Sequence, residues 1–213
     1  MGVIMKIAVV CANGKAGRLI TEEAVNRGFD VTAVVRGDNR TVAKDSIIKD
    51  LFELTKADLA KFDVVVDACG GWTEKTIPDI PKAGKYLCDL LSNTDKRLVI
   101  VGGAGSLFVN DEHTLTVADG PDFPEAFKPL AAAHSELLEL LRQRRDVKWT
   151  YISPAGDFRA DGERTGEYTL GGESLVLNSD GESVISYADY AIAFVDEIEK
   201  GDHIGQRISV VSK

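Results

Sequence analysis

The stretch Val9–Arg18, VVCANGKAGR, ends an apolar run (KIAVVCA, 6–12) in a glycine-containing turn and opens a helical pattern (AGRLITEEAVNRG, 16–28). In a strand–turn–helix unit that cradles a dinucleotide, the first helical N–H groups face the pyrophosphate. The first glycine permits the tight turn, the second lets a phosphate approach the backbone, and the third packs helix on strand. Here the spacing is Cys11-x-x-Gly14-x-x-Gly17. Gly14 and Gly17 keep the two roles that demand no side chain. Cys11 stands where the first glycine belongs, so it must hold φ negative or carry modest strain. Asn13 lies within the turn, and Lys15 brings positive charge to its mouth. Two glycines alone are equally compatible with a plain structural turn; the preceding strand, the following helix and the βαβ context favour the cradle.

The next apolar run, DVTAVVR (30–36), ends at Arg36, nineteen residues after Gly17. NAD-selective proteins place an acid here for the ribose 2′-hydroxyl. An arginine instead pairs with the 2′-phosphate of NADP and stacks on adenine, unless it is simply solvated. Arg40 and Arg18 are weaker helpers. The expected cofactor is therefore NADP(H).

Further strands are expected at 63–68, 97–103 and 147–153, with a late edge strand at 206–212; helices are expected at 82–93, 125–144 and 187–201. Near-continuous Val/Ile without strict alternation marks a parallel sheet covered on both faces. The fold class that follows is α/β: a doubly wound, mostly parallel sheet in one domain spanning 1–213. Two irregular stretches, 104–124 and 154–184, follow strand ends, where open α/β sheets bind ligands. Composition is that of an ordinary globular protein, 44% hydrophobic and 28% charged. Apolar runs are strand-length, so no membrane span is expected, and the N-terminal residues read as a buried strand rather than a signal peptide. Three unpaired-looking cysteines and three scattered histidines argue against a disulfide framework or zinc site and for a reducing, cytoplasmic setting. Thirty-four acids against twenty-five bases, a net charge of −9, argue against broad nucleic-acid contact.

Taken together, CANGKAGR, VTAVVR, KFDVVVDACGG, RLVIVGGAGSL, YISPAGDF, RTGEY and ISYADYAIAFVDEIE resemble the atypical short-chain dehydrogenase/reductases. These are NAD(P)H-binding, NAD-dependent epimerase/dehydratase-like proteins of Rossmann type, with relatives among NmrA-like proteins and flavin/biliverdin-IXβ reductases. The resemblance implies that Asp50 accepts a hydrogen bond from the adenine amino group. It also implies that Cys69 and Gly70 pass backbone near the cofactor ribose, and that Pro154 and Ala155 border the nicotinamide. Each has a plainer alternative: turn residue, loop punctuation, strand stop.

The superfamily catalyst, Tyr-x-x-x-Lys, is missing. Four residues after Tyr86, Tyr151, Tyr168, Tyr187 and Tyr190 stand Leu90, Ala155, Gly172, Ala191 and Phe194. By the resemblance Lys128 lies near the tyrosine's place. Ser106, where the family serine lies, and His134, on the helix that normally carries the tyrosine, are the remaining catalytic candidates. Three functions stay open. One is an NADPH-dependent reductase for a delocalised acceptor (quinone, flavin or conjugated carbonyl), whose small-molecule partner needs no strong proton donor. Another is a non-catalytic NADP(H)-binding sensor of NmrA type, which alone requires a protein partner. The third, a sugar epimerase or dehydratase, is disfavoured by the missing tyrosine. A homodimer is compatible with each. A reductase should show an open slot beside Ser106, lined by Trp72, Phe158 and parts of 104–124; a sensor should show it filled.

Overall fold

The computed structural model describes residues 4–213. Ten strands and five helices alternate along it: β1 Lys6–Val10, α1 Lys15–Asn26, β2 Asp30–Val35, β3 Asp45–Ile48, α2 Lys56–Leu59, β4 Val64–Asp67, α3 Asp79–Leu91, β5 Arg97–Val101, α4 Lys128–Gln143, β6 Lys148–Ser153, β7 Asp157–Arg159, β8 Tyr168–Gly171, β9 Val184–Ser186, α5 Tyr187–Lys200 and β10 Gln206–Ser212. Eight strands form one sheet in the order β3-β2-β1-β4-β5-β6-β10-β8, parallel throughout except for β10 against β8. The expected α/β class is realised as a single doubly wound domain.

Side-chain alternation explains the two covered faces. Ile7 and Val9 of β1, with Val64 and Val66 of β4, meet Ile20 and Ala24 of α1 and Tyr190, Phe194 and Ile198 of α5. Ala8 and Val10, with Val65, Leu98 and Ile100, meet Leu87 of α3 and Leu137 and Leu141 of α4. Both faces are dry, so a continuous Val run such as β4 costs nothing in exposed apolar surface. α5 begins at Ser186, whose hydroxyl accepts from Asp189 N–H at 2.9 Å, and ends at Gly201 with φ 69°. No helix among the described residues is long and apolar enough to cross a membrane.

Two expectations need correction. β10 is not an edge strand: β8, from within the stretch read as irregular, pairs Tyr168–Gly171 against Ser209–Ser212 and takes the edge. The 154–184 stretch also supplies β7, which pairs with β9 at the stretch's end. It is tied to 104–124 through Phe108, which receives at its carbonyl the Leu175 N–H (2.8 Å) and donates its own N–H to the Glu173 carbonyl (3.0 Å).

Candidate functional site

Strand order reverses between β1 and β4, and a cleft of about 1190 Å³ opens beyond the carboxyl ends of β1, β2, β4, β5 and β6. Its centre is the turn after β1. Cys11 adopts φ 59°, so of the two expected options the strained one holds. A left-handed non-glycine residue costs about 1–2 kcal/mol. Gly14 N–H closes the turn onto the Cys11 carbonyl at 3.0 Å. At Gly17 a Cβ would lie 2.8 Å from that carbonyl oxygen and 3.0 Å from Ala12 Cα, so only glycine lets α1 settle against the strand. α1 starts without a capping side chain and without an acid in its first turn, while Lys15 and Ala16 face the cleft. Free N–H groups, a positive dipole end and a lysine suit a diphosphate.

At the β2 end of the cleft, Asn13 lines the cleft and also ties two loops together. Its amide donates to the Asp38 carbonyl (2.9 Å) and its Oδ1 accepts from Arg40 N–H (2.8 Å), pinning the loop after β2 to the glycine turn. Arg36 and Arg40 are exposed, line the cleft and make no ion pair among the described residues. Lys49, nearby, is occupied by Asp58 at 2.9 Å. Asp50 lines the cleft and also caps a short helical turn, accepting from Phe52 N–H at 2.9 Å, so the plainer expectation for it is met alongside its placement.

The floor is the end of β4. Asp67 is 2% exposed, accepts only the Cys69 N–H (3.0 Å), and burial pushes its pKa up to about 7. A carboxyl that resists ionisation repels an anionic cofactor less than an ordinary aspartate would. Cys69 and Gly70 line the cleft. Gly70 has open space where a Cβ would stand, whereas a Cβ at Gly71 would strike the Thr76 carbonyl oxygen at 2.4 Å.

At the far end, Pro154 and Ala155 after β6 line the cleft together with His134. Gly102 and Gly103 allow β5 to press on the layer below, since Cβ atoms there would lie 2.4 Å from the Tyr151 ring and 2.9 Å from His134 Cγ. Tyr151, fully buried, accepts the Gly103 N–H at 2.9 Å, and its Oη stands 3.3 Å from both His134 Nδ1 and the His134 carbonyl oxygen. Burial lowers the His134 pKa to about 4, so at neutral pH it is uncharged. His134, a catalytic candidate from the sequence, thus lines the cleft as an uncharged imidazole. Ser106 lies on the loop after β5, one residue past Gly105, which lines the cleft. It is not among the residues lining the cleft; its Oγ accepts from Arg207 Nη1 at 3.2 Å, and the buried Arg207 also binds Glu173. Lys128 pairs with Glu125.

Trp72, Phe123, Phe127 and Phe158 also line the cleft. Trp72 is 71% exposed at the mouth, and Phe158 stacks on Tyr187 at 3.8 Å between ring centroids. Sequence reasoning missed Asp67, Tyr151, Phe123 and Phe127. An acid directly after three valines was a visible signal for Asp67, whereas Tyr151 was judged only as a member of Tyr-x-x-x-Lys.

Comparison with known proteins agrees with this geometry. Residues 11–199 match the NAD(P)H-binding family. The uncharacterized protein YwnB of Bacillus subtilis (strain 168) is 43% identical over 212 residues, 98% of this chain and 99% of YwnB. The crystal structure of SP1627 from Streptococcus pneumoniae TIGR4, a candidate NADH-flavin reductase, superposes with a TM-score of 0.96 at 53% identity, covering 98% of this chain and all of that one. A candidate NAD-dependent epimerase/dehydratase from Bacillus halodurans shares the fold, with a TM-score of 0.76 at 20% identity over 98% of this chain and 94% of the other.

Proposed function

Because the chain belongs to the NAD(P)H-binding family, we propose that it is an NADPH-dependent oxidoreductase passing hydride to a planar, delocalised acceptor: a flavin, a quinone or a conjugated carbonyl. One observation carries the proposal. A single cleft is lined by Arg36, by Pro154 and Ala155, and by four aromatic side chains, Trp72, Phe123, Phe127 and Phe158. Aromatic walls fit a flat ring system and exclude water from it. The description of SP1627 supports a flavin acceptor. NADPH in place of the NADH of that description rests on Arg36 and Arg40, two unpaired guanidinium groups at the end of β2.

NADPH, when bound, would supply the hydride from its nicotinamide. α1 and Lys15 would hold the diphosphate; Arg36 and Arg40 would hold the 2′-phosphate; Gly102 and Gly103, seated on Tyr151 and His134, would fix the wall behind the transfer. With His134 neutral and no Tyr-x-x-x-Lys, the chain offers no strong proton donor at this end. Positioning carries the rate, and the acceptor must stabilise its own product anion. That same lack of a donor favours the second reading, an NADP(H)-binding sensor. A steady-state screen separates them: quinones and flavins should be reduced faster than saturated aldehydes at equal concentration. Tight NADPH binding without turnover of any acceptor would favour the sensor.

A further inference from the structure

We propose that Cys11 and Cys69 form an oxidisable dithiol that closes the nucleotide cleft when a peroxide converts it to a disulfide. The pair is brought together by the sheet. β1 and β4 are parallel neighbours in register Val10↔Asp67, so the residues just past their carboxyl ends meet at the cleft floor. Both thiols are free, partly exposed and line the cleft, and both pack on the same core cluster; the third cysteine, Cys88, is fully buried on the inner side of α3.

The nearness of Cys11, followed by burial, pushes the Cys69 thiol well above the usual thiol range and keeps it protonated. Cys11 stands in the turn that leads into the N-terminal end of α1, which makes it the attacking sulfur and Cys69 the resolving thiol. Cys11 also retains φ 59° in a turn position that glycine would fill without strain. A thiol kept there despite that strain, opposite a second thiol, is an arrangement with a use.

The chemistry balances in two steps. The Cys11 sulfur attacks hydrogen peroxide, breaking the O–O bond to give a sulfenic acid and one water. The Cys69 thiol then attacks that sulfur, giving the Cys11–Cys69 disulfide and a second water. Two thiols lose two electrons and two protons, and one peroxide is reduced. The new S–S bond would lie across the floor between the glycine turn and the end of β4, where the diphosphate and ribose are proposed to sit. The consequence for binding rests on the cofactor reading; formation of the bond does not.

The experiment treats the full chain with one equivalent of hydrogen peroxide, then reads it by intact mass, by non-reducing peptide mapping and by NADPH titration. Expected are loss of two hydrogens, a Cys11–Cys69 cross-link, and an affinity about tenfold or more weaker that returns with dithiothreitol. Cys88→Ala should cross-link as the wild type does. Cys11→Gly and Cys69→Ala, whatever their reduced affinities, should show no change on oxidation. Absence of the cross-link, or independent oxidation of the two sulfurs to sulfinates, overturns the dithiol. A cross-link that leaves affinity unchanged overturns the closure. Reduced wild type that fails to bind NADPH would sink the cofactor reading, while the mapping would still decide the dithiol.

Discussion

Replacing Arg36 by alanine should weaken NADPH and spare NADH. The guanidinium sits exposed at the end of β2, lines the cleft and has no ion pair to give up among the described residues. Its whole donor fork is thus available to a 2′-phosphate. A hydrogen bond to a charged group is worth about 1.5–3 kcal/mol, and screening at an exposed site places Arg36 at the low end. About 1.5 kcal/mol is about a tenfold change in Kd. Arg40, held beside it by Asn13, should contribute similarly, so the double alanine variant should lose about a hundredfold if the two act independently. Asp38 also faces this end, and removing both arginines leaves its charge to oppose the phosphate. Trp72, at the mouth, reports binding by fluorescence over a constant background from the buried Trp149. NADH lacks the phosphate and should change by no more than about twofold. If Arg36→Ala weakens both cofactors equally, or neither, the phosphate assignment is refuted.

Gly17→Ala should abolish cofactor binding and destabilise the fold by about 1–3 kcal/mol, because its Cβ would meet backbone at 2.8–3.0 Å; a variant with wild-type urea midpoint and affinity contradicts the packing account. Tyr151→Phe should cost about 1–3 kcal/mol by stranding the Gly103 N–H, lowering Tm by about 2–4 °C for each kcal/mol; an unchanged melting curve contradicts it. Asp67, with its folded pKa raised to about 7, binds more protons folded than unfolded between about pH 4 and 7, so its contribution to stability falls as pH rises through that window. Asp67→Asn should therefore gain on the wild type by about 2–4 kcal/mol between pH 4 and pH 8 in urea titrations. His134, lowered to about 4, acts oppositely, its stabilisation being lost as pH falls from about 6.5 through 4, so only the difference between variant and wild type isolates Asp67. An equal difference at both pH values would contradict the burial of an acid there.

What was legible followed from burial on two faces. β1, β2, β4, β5 and β10 are rich in Val and Ile, β6 (KWTYIS) is a β-branched and aromatic run, and α1, α3, α4 and α5 carry apolar residues at helical spacing. β3 and β8 escaped notice because sheet edges need no continuous apolar run: DSII and YTLG are half exposed. Hiding β8 made β10 look like the edge. At the site, the glycine turn and Arg36 were legible from strand ends, whereas Cys69 and Pro154 were named through the family resemblance. The contact between Ser106 and Arg207 was not legible, because it joins residues 101 positions apart. Nor was the charge of His134, which depends on what α4 and Tyr151 pack around it.

The most direct test of the hydride-transfer account is an anaerobic single turnover. Protein preloaded with NADPH is mixed with free flavin, and nicotinamide and flavin absorbance are followed together. The account predicts concurrent, equimolar loss of both signals at a rate well above the protein-free reaction. NADPH that stays bound and unoxidised, with the flavin signal unchanged, would contradict it.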